Sequence, residues 1–182
     1  MPPYAYAILI AGWLTWLAPF LIAKRTRAPA GAVDRRARWG IMLEGVAYAL
    51  LWQGKFWERP PAAWRLATSL AFFLLAAVLS WSATPALGRH WRVEAALSAD
   101  HELVTTGPYG VVRHPIYASM LGVLLATGFM ITPWWLFAPS LLVFIVGTEI
   151  RVRIEDRLLE SRFGERFREY QRRVSAYIPG IR

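Results

Sequence analysis

The chain has 182 residues, 56% of them hydrophobic and ten of them Trp, with 21 Lys and Arg against 12 Asp and Glu and no Cys. That length suits one domain or one small bundle, and the composition points to a polytopic membrane protein, so the net charge of +9 reads as a topology signal, not a nucleic-acid interface. Without cysteine there is no disulfide framework, thiolate nucleophile or Cys-based metal site, and His90, His101 and His114 lack helical metal-ligand spacing, so no metal is expected.

Tyr4 to Ala23 form a nearly uncharged run of about twenty residues, the length that crosses a bilayer core. The run lacks a charged leader and a small-residue cleavage site, so it reads as a retained first span. Lys24, Arg25, Arg27, Arg35, Arg36 and Arg38 follow, with Asp34 the only acid among them. An excess of cations marks a cytoplasmic loop, which puts the N-terminus outside.

A second span is expected from about Gly40 to Phe56, carrying Glu44 and Gln53. Charged residues inside spans are functional candidates, yet Glu44 lies one turn from the basic loop, and pairing with a loop Arg is favoured over a catalytic role. A third span covers about Trp64 to Ala83. Residues 84–114, with Arg89, His90 and Arg92, return to the cytoplasmic side. A fourth span runs from Pro115 to about Ile131, Thr132-Pro133 turns the chain, and a fifth runs from Trp134 to about Ile150. Eighteen of the 21 Lys and Arg then fall in three cytoplasmic segments, 24–38, 84–114 and 151–182. Trp52, Trp57, Trp64, Trp134 and Trp135 suit an outer aromatic belt, and Trp39, Trp81 and Trp91 an inner one.

From about Arg153 to Val174 the pattern predicts one amphipathic helix with a seam of Leu158, Leu159, Phe163, Phe167, Tyr170 and Val174. Its placement is either along the inner surface or docked over the mouth of the bundle, and Gly164 allows close approach or a break. The expected architecture is all-α, a polytopic membrane helical bundle of about five spans with a three-span region over 1–97 and a second unit over 98–182.

Polar and turn-forming residues interrupt this lipid-loving chain at His101 to Ser119. Pro115 suits a first helical position, where its missing N–H has no partner in any case. The free amides of that first turn carry the positive end of the helix dipole, with Arg113 and His114 just ahead of them. This makes an anion-binding corner, to be weighed against a plain snorkelling anchor.

The run His101-x-Leu103-Val104-Thr105-x-Gly107-x-Tyr109, followed by Arg113-His114-Pro115-x-Tyr117, resembles the isoprenylcysteine carboxyl methyltransferases and their relatives among the phospholipid methyltransferases. Glu155-Asp156-x-x-Leu159, Phe163-Gly164, Tyr170 and Arg173-Val174 resemble the family's second motif. Ser119 stands where Gly is usual, and Asp156 replaces the second Glu of an acidic pair. The resemblance implies an integral membrane methyltransferase with S-adenosyl-L-methionine as cofactor and residues 98–182 as its core. Arg113, His114 and the amides after Pro115 are expected at the cofactor's carboxylate and Glu155 at its amino group. The backbone from His101 to Leu103 is expected at the adenine edge, with Tyr109 and Tyr117 beside the cofactor. A P-loop and a Gly-x-Gly-x-x-Gly are both absent and neither is required.

A carboxylate acceptor on a lipid-like or lipidated molecule needs no general base, only alignment and one cation to hold it. Arg173 is the expected cation, with Arg153 in reserve, and Glu149 either pairs with one of them or meets the acceptor. Methylation of a phospholipid amine or a small thiol is the alternative within this cofactor class. Outside it stand an NADPH-dependent sterol-type reductase, which shares part of the pattern, and a non-enzymatic membrane adaptor. The expected location is a bacterial or archaeal cytoplasmic membrane, with the site facing the cytoplasm.

Overall fold

A computed structural model describes residues 1–23, 34–56, 58, 60–88, 91–92 and 102–181. Residues 24–33, Trp57, Arg59, Arg89, His90 and His101 therefore lie outside the described residues. Among the described residues six α-helices follow in order: α1 (Pro3–Ile22), α2 (Ala37–Leu51), α3 (Ala63–Leu87), α4 (Pro115–Ile131), α5 (Trp134–Phe163) and α6 (Glu165–Arg173). A short 3-10 turn, Gly107–Gly110, precedes α4. The helices α1, α3 and α5 are long and apolar enough to cross a membrane; α4 is apolar but shorter, and α2 has 15 residues. Large apolar side chains turned outward on these three, including Ile22, Leu74, Val78 and Leu142, each more than half exposed, mark a lipid-facing surface.

Two helix pairs form the frame: α3 lies along α4 and α2 along α5, with α1 against α3. One core unites α1, α3 and α4 around Leu9, Trp16, Phe73 and Val123, and a second unites α2, α4 and α5 around Leu51, Leu124, Phe137 and Phe144. Apolar lipid gives helices little reason to associate by hydrophobicity alone, so small residues and buried polar contacts carry the joins. Ser140 Oγ donates to the Ala47 carbonyl at 2.8 Å, and Trp13 Nε1 donates to Thr127 Oγ1 at 3.1 Å. Ser119, fully buried, receives Trp16 Nε1 at 3.0 Å, so a small polar residue here joins α4 to α1.

At the α2–α5 crossing the two backbones come close together. A Cβ added to Gly147 would meet the Gly40 carbonyl at 2.8 Å and Leu43 Cβ at 3.0 Å. Because the obstacle is backbone, it has no side chain to move aside. Gly147→Leu should therefore cost at least about 2 to 3 kcal/mol by overpacking, read as a lowered unfolding midpoint in detergent. An unchanged midpoint would contradict this crossing.

Two boundaries and one side-chain placement differ from expectation. Instead of continuing to Phe56, α2 stops at Leu51, whose carbonyl accepts Thr132 Oγ1 at 2.9 Å, while Gly54 turns against Pro133. No break separates the fifth span from the tail: α5 continues unbroken through Arg151–Asp156, since the first helix breaker is Gly164, at φ 55°. The tail is thus two helices, and the acidic pair rides on the same rigid rod as the apolar span. Trp91, expected at the inner belt, is instead buried against Phe20 with ring centres 5.5 Å apart.

Candidate active site

The segment before α4 is held by the chain's far end. Arg113 N donates to the Ser175 carbonyl and His114 N to the Ala176 carbonyl, both at 2.8 Å, as a short parallel pairing. Tyr170 OH on α6 donates to the Tyr109 carbonyl at 2.5 Å. Of the two placements open to the tail, docking over the bundle is the one observed. Tyr117, Val152, Ala176 and Tyr177 seal the joint.

Within this joint the charges alternate. Glu44 on α2 accepts from Arg151 Nη1 at 3.1 Å and from Thr148 Oγ1 at 3.1 Å. Arg151 Nη2 lies 3.8 Å from Glu155 Oε1, and its guanidinium carbon is 4.8 Å above the centre of the Tyr117 ring. Glu155 also accepts from Tyr117 OH and faces His114 Nδ1 at 3.5 Å. His114 Nε2 meets Asp156 Oδ1 at 2.9 Å, and Arg113 Nη2 meets Asp156 Oδ2 at 3.0 Å. Three acids and three cations so offset one another, the condition for holding charges away from water.

Arg113 is occupied by the protein itself. Besides Asp156, it donates from Nη1 to the carbonyls of Val174 and, at 3.4 Å, of Gln171. Gln171 Nε2 adds a contact of 3.2 Å to Asp156. The carboxylates differ: the Asp156 side chain is 13% exposed and ties down two cations, whereas that of Glu155 is 26% exposed. Tyr109 OH, deeply buried, has no hydrogen-bond partner among the described residues. Burial, and then the charge of Glu155, push its pKa well up, so it stays a neutral donor.

Burial alone would favour a neutral His114 ring, but hydrogen bonds to Asp156 and Glu155 outweigh it and raise its pKa from 6.5 to about 9. A pKa raised on folding adds stability that is complete below the unfolded value and is lost as pH rises through the folded one. Thermal unfolding should therefore show the midpoint falling as pH rises through about 9, with a smaller fall in His114→Gln. A profile equally steep in both proteins would contradict this protonated pairing.

The residues expected from sequence separate into two groups. Tyr109, Arg113, His114, Tyr117 and Glu155 come together; Leu103 is half-buried in the segment leading to them, and His101 lies outside the described residues. Arg153 and Glu149 pair with each other at 2.9 Å on the surface, the Arg side chain 69% exposed, and are not part of the network. Arg173 is exposed at the end of α6. Among the described residues Glu44 pairs with Arg151 and not with a loop Arg, because its side chain is held inside the α2–α5 crossing. Sequence reasoning passed over Arg151 altogether. Its signal was present: a cation just past the apolar part of one long helix, one helical turn before Glu155, in a chain with an unexplained acid in another apolar segment.

Residues 64–166 match the model of the family described as phospholipid methyltransferase. Among curated proteins the chain is similar to the cobalt-zinc-cadmium resistance protein CzcN of Cupriavidus metallidurans, with 31% identity over 79% of this chain and 62% of that one. It is also 30% identical to protein-S-isoprenylcysteine O-methyltransferase of Schizosaccharomyces pombe, over 80% of this chain and 68% of the relative. Methanethiol S-methyltransferase of Pseudomonas deceptionensis is 35% identical over 41% of this chain and 27% of its own. The chain spans 62% and 63% of the length of the two metal-resistance proteins it matches.

Proposed function

Because the chain belongs to the phospholipid methyltransferase family, we propose that it is an integral membrane enzyme that moves a methyl group from S-adenosylmethionine to a lipid-like acceptor carboxylate. The observation that carries this reading is the joint of the pre-α4 segment with α5, α6 and residues 175–176, which leaves Glu155 partly exposed and holds a buried Tyr109 hydroxyl that has no partner among the described residues. A buried donor of that kind and a partly exposed carboxylate in one joint suit a ligand carrying both an acceptor and an ammonium group, and the amino-acid end of S-adenosylmethionine carries both.

When bound, the cofactor supplies an activated methyl group on a sulfonium. Glu155 receives the ammonium, and the Ile116 and Tyr117 amides, ahead of the first α4 hydrogen bond from Ala118 N to His114 O, face the carboxylate. Tyr109 and Tyr117 line the same place, and the backbone near His101 and Leu103 meets the adenine edge. Arg113 and His114 act by fixing the corner, since both bind Asp156. Arg173, with Arg153 in reserve and Glu149 beside it, is proposed for the acceptor's carboxylate. A carboxylate is already nucleophilic, so alignment and exclusion of water carry the rate gain, and alignment alone can lower the barrier by about 7 to 11 kcal/mol.

We further place the chain in five spans with the N-terminus outside, in a bacterial or archaeal cytoplasmic membrane, the joint facing the cytoplasm. Outward apolar faces on α1, α3 and α5 would let a lipid-like acceptor enter from the bilayer. The likeness to a methanethiol S-methyltransferase favours a small thiol as the second reading. Detergent-solubilised protein with methyl-labelled S-adenosylmethionine should label a prenylcysteine analogue in preference to phospholipid or methanethiol. Labelling of the thiol alone would move the assignment to that reading, and labelling of none of the three would overturn it.

A further inference from the structure

Glu44 reaches the charged network from α2, a helix that carries neither sequence motif. It is 3% exposed, and both of its carboxylate oxygens are occupied, Oε1 by Thr148 and Oε2 by Arg151. The crossing is shaped around this contact: Gly40 leaves the space through which the Arg151 stem passes. Replacing a buried ion pair by apolar residues often leaves stability unchanged, so the pair is better explained by what it arranges than by what it stabilises. What it arranges is Arg151. One amino group is tied to Glu44, the other stays 3.8 Å from Glu155, and the guanidinium carbon sits over the Tyr117 ring. Released from Glu44, the same guanidinium would close on Glu155 as a two-point pair, adding to the Tyr117 and His114 contacts and filling the remaining acceptor capacity of its oxygens.

We propose that Glu44 is a positioning residue of the cofactor site, which holds Arg151 back so that Glu155 keeps an oxygen for the cofactor's ammonium. The inference rests on Glu155 as the ammonium acceptor. It extends the site into a part of the membrane bundle that the motifs do not reach.

The test uses full-length protein in detergent, with binding of S-adenosylhomocysteine and of methylthioadenosine, which shares the nucleoside but lacks the amino-acid end. Glu44→Gln should weaken S-adenosylhomocysteine about tenfold and leave methylthioadenosine unchanged. In a Glu155→Gln background the same change should add nothing, and Glu44→Asp, still charged but shorter, should restore part of the loss. Equal weakening of both ligands, or the full tenfold loss on top of Glu155→Gln, would mark a merely structural role and overturn the inference. So would normal S-adenosylhomocysteine binding by Glu44→Gln. If that variant is not recovered folded, Glu44→Asp must still weaken S-adenosylhomocysteine selectively, and failure to do so overturns the inference as well. Wild-type protein that binds neither ligand would instead overturn the proposed function.

Discussion

Asp156→Asn should destabilise the folded protein by about 3 to 5 kcal/mol and abolish cofactor binding with it. The substitution keeps the volume and withdraws the charge that Arg113 and His114 share, at 3.0 and 2.9 Å. Glu155 then remains for His114, but at 3.5 Å, and no other carboxylate lies within ion-pair distance of the buried Arg113 among the described residues. The backbone pairings of Arg113 to Ser175 and His114 to Ala176 lose the side-chain staple that orients them. A second sign accompanies the loss: the His114 pKa should fall from about 9. Unfolding measured by circular dichroism in detergent reads the stability, and NMR of the imidazole reads the pKa. A midpoint within a degree or so of wild type would refute the structural role of Asp156.

Glu155→Gln, one position earlier, should behave in the opposite way. Its cationic partners both have others: Arg151 keeps Glu44 at 3.1 Å and His114 keeps Asp156, while the Gln carbonyl can still accept from Tyr117 OH. No cation is stranded, so stability should fall by only about 1 kcal/mol, within the range for losing one hydrogen-bond partner. Affinity for S-adenosylhomocysteine should drop about 10- to 100-fold, the weight of one hydrogen bond to a charged group. On the proposed function, adjacent acids should thus divide the work, Asp156 holding the corner and Glu155 serving the ligand. Equal losses of stability in the two variants would refute that division.

This division was only half legible beforehand. Periodicity and turn chemistry located α1, α3 and α4 closely, because an apolar run bounded by Pro or Gly has few other solutions. They misjudged the tail, since the drop in hydropathy after Ile150 looks like a boundary although nothing there breaks a helix; only Gly164 does. Motif resemblance identified His114, Tyr117 and Glu155 as neighbours. Arg113 was expected to face the ligand and instead binds Asp156 and two carbonyls, a role fixed by tertiary contacts with residues about forty to sixty positions away. Arg151 and Glu44 went unmatched for the same reason: their pairing needs the Gly40–Gly147 crossing, which no local pattern encodes.

Calorimetry on the detergent-solubilised wild-type chain with S-adenosylhomocysteine and with NADPH tests the central claim most directly. Saturable one-to-one binding of S-adenosylhomocysteine, with no heat from NADPH, is the predicted result. Binding of NADPH with none of S-adenosylhomocysteine would contradict it.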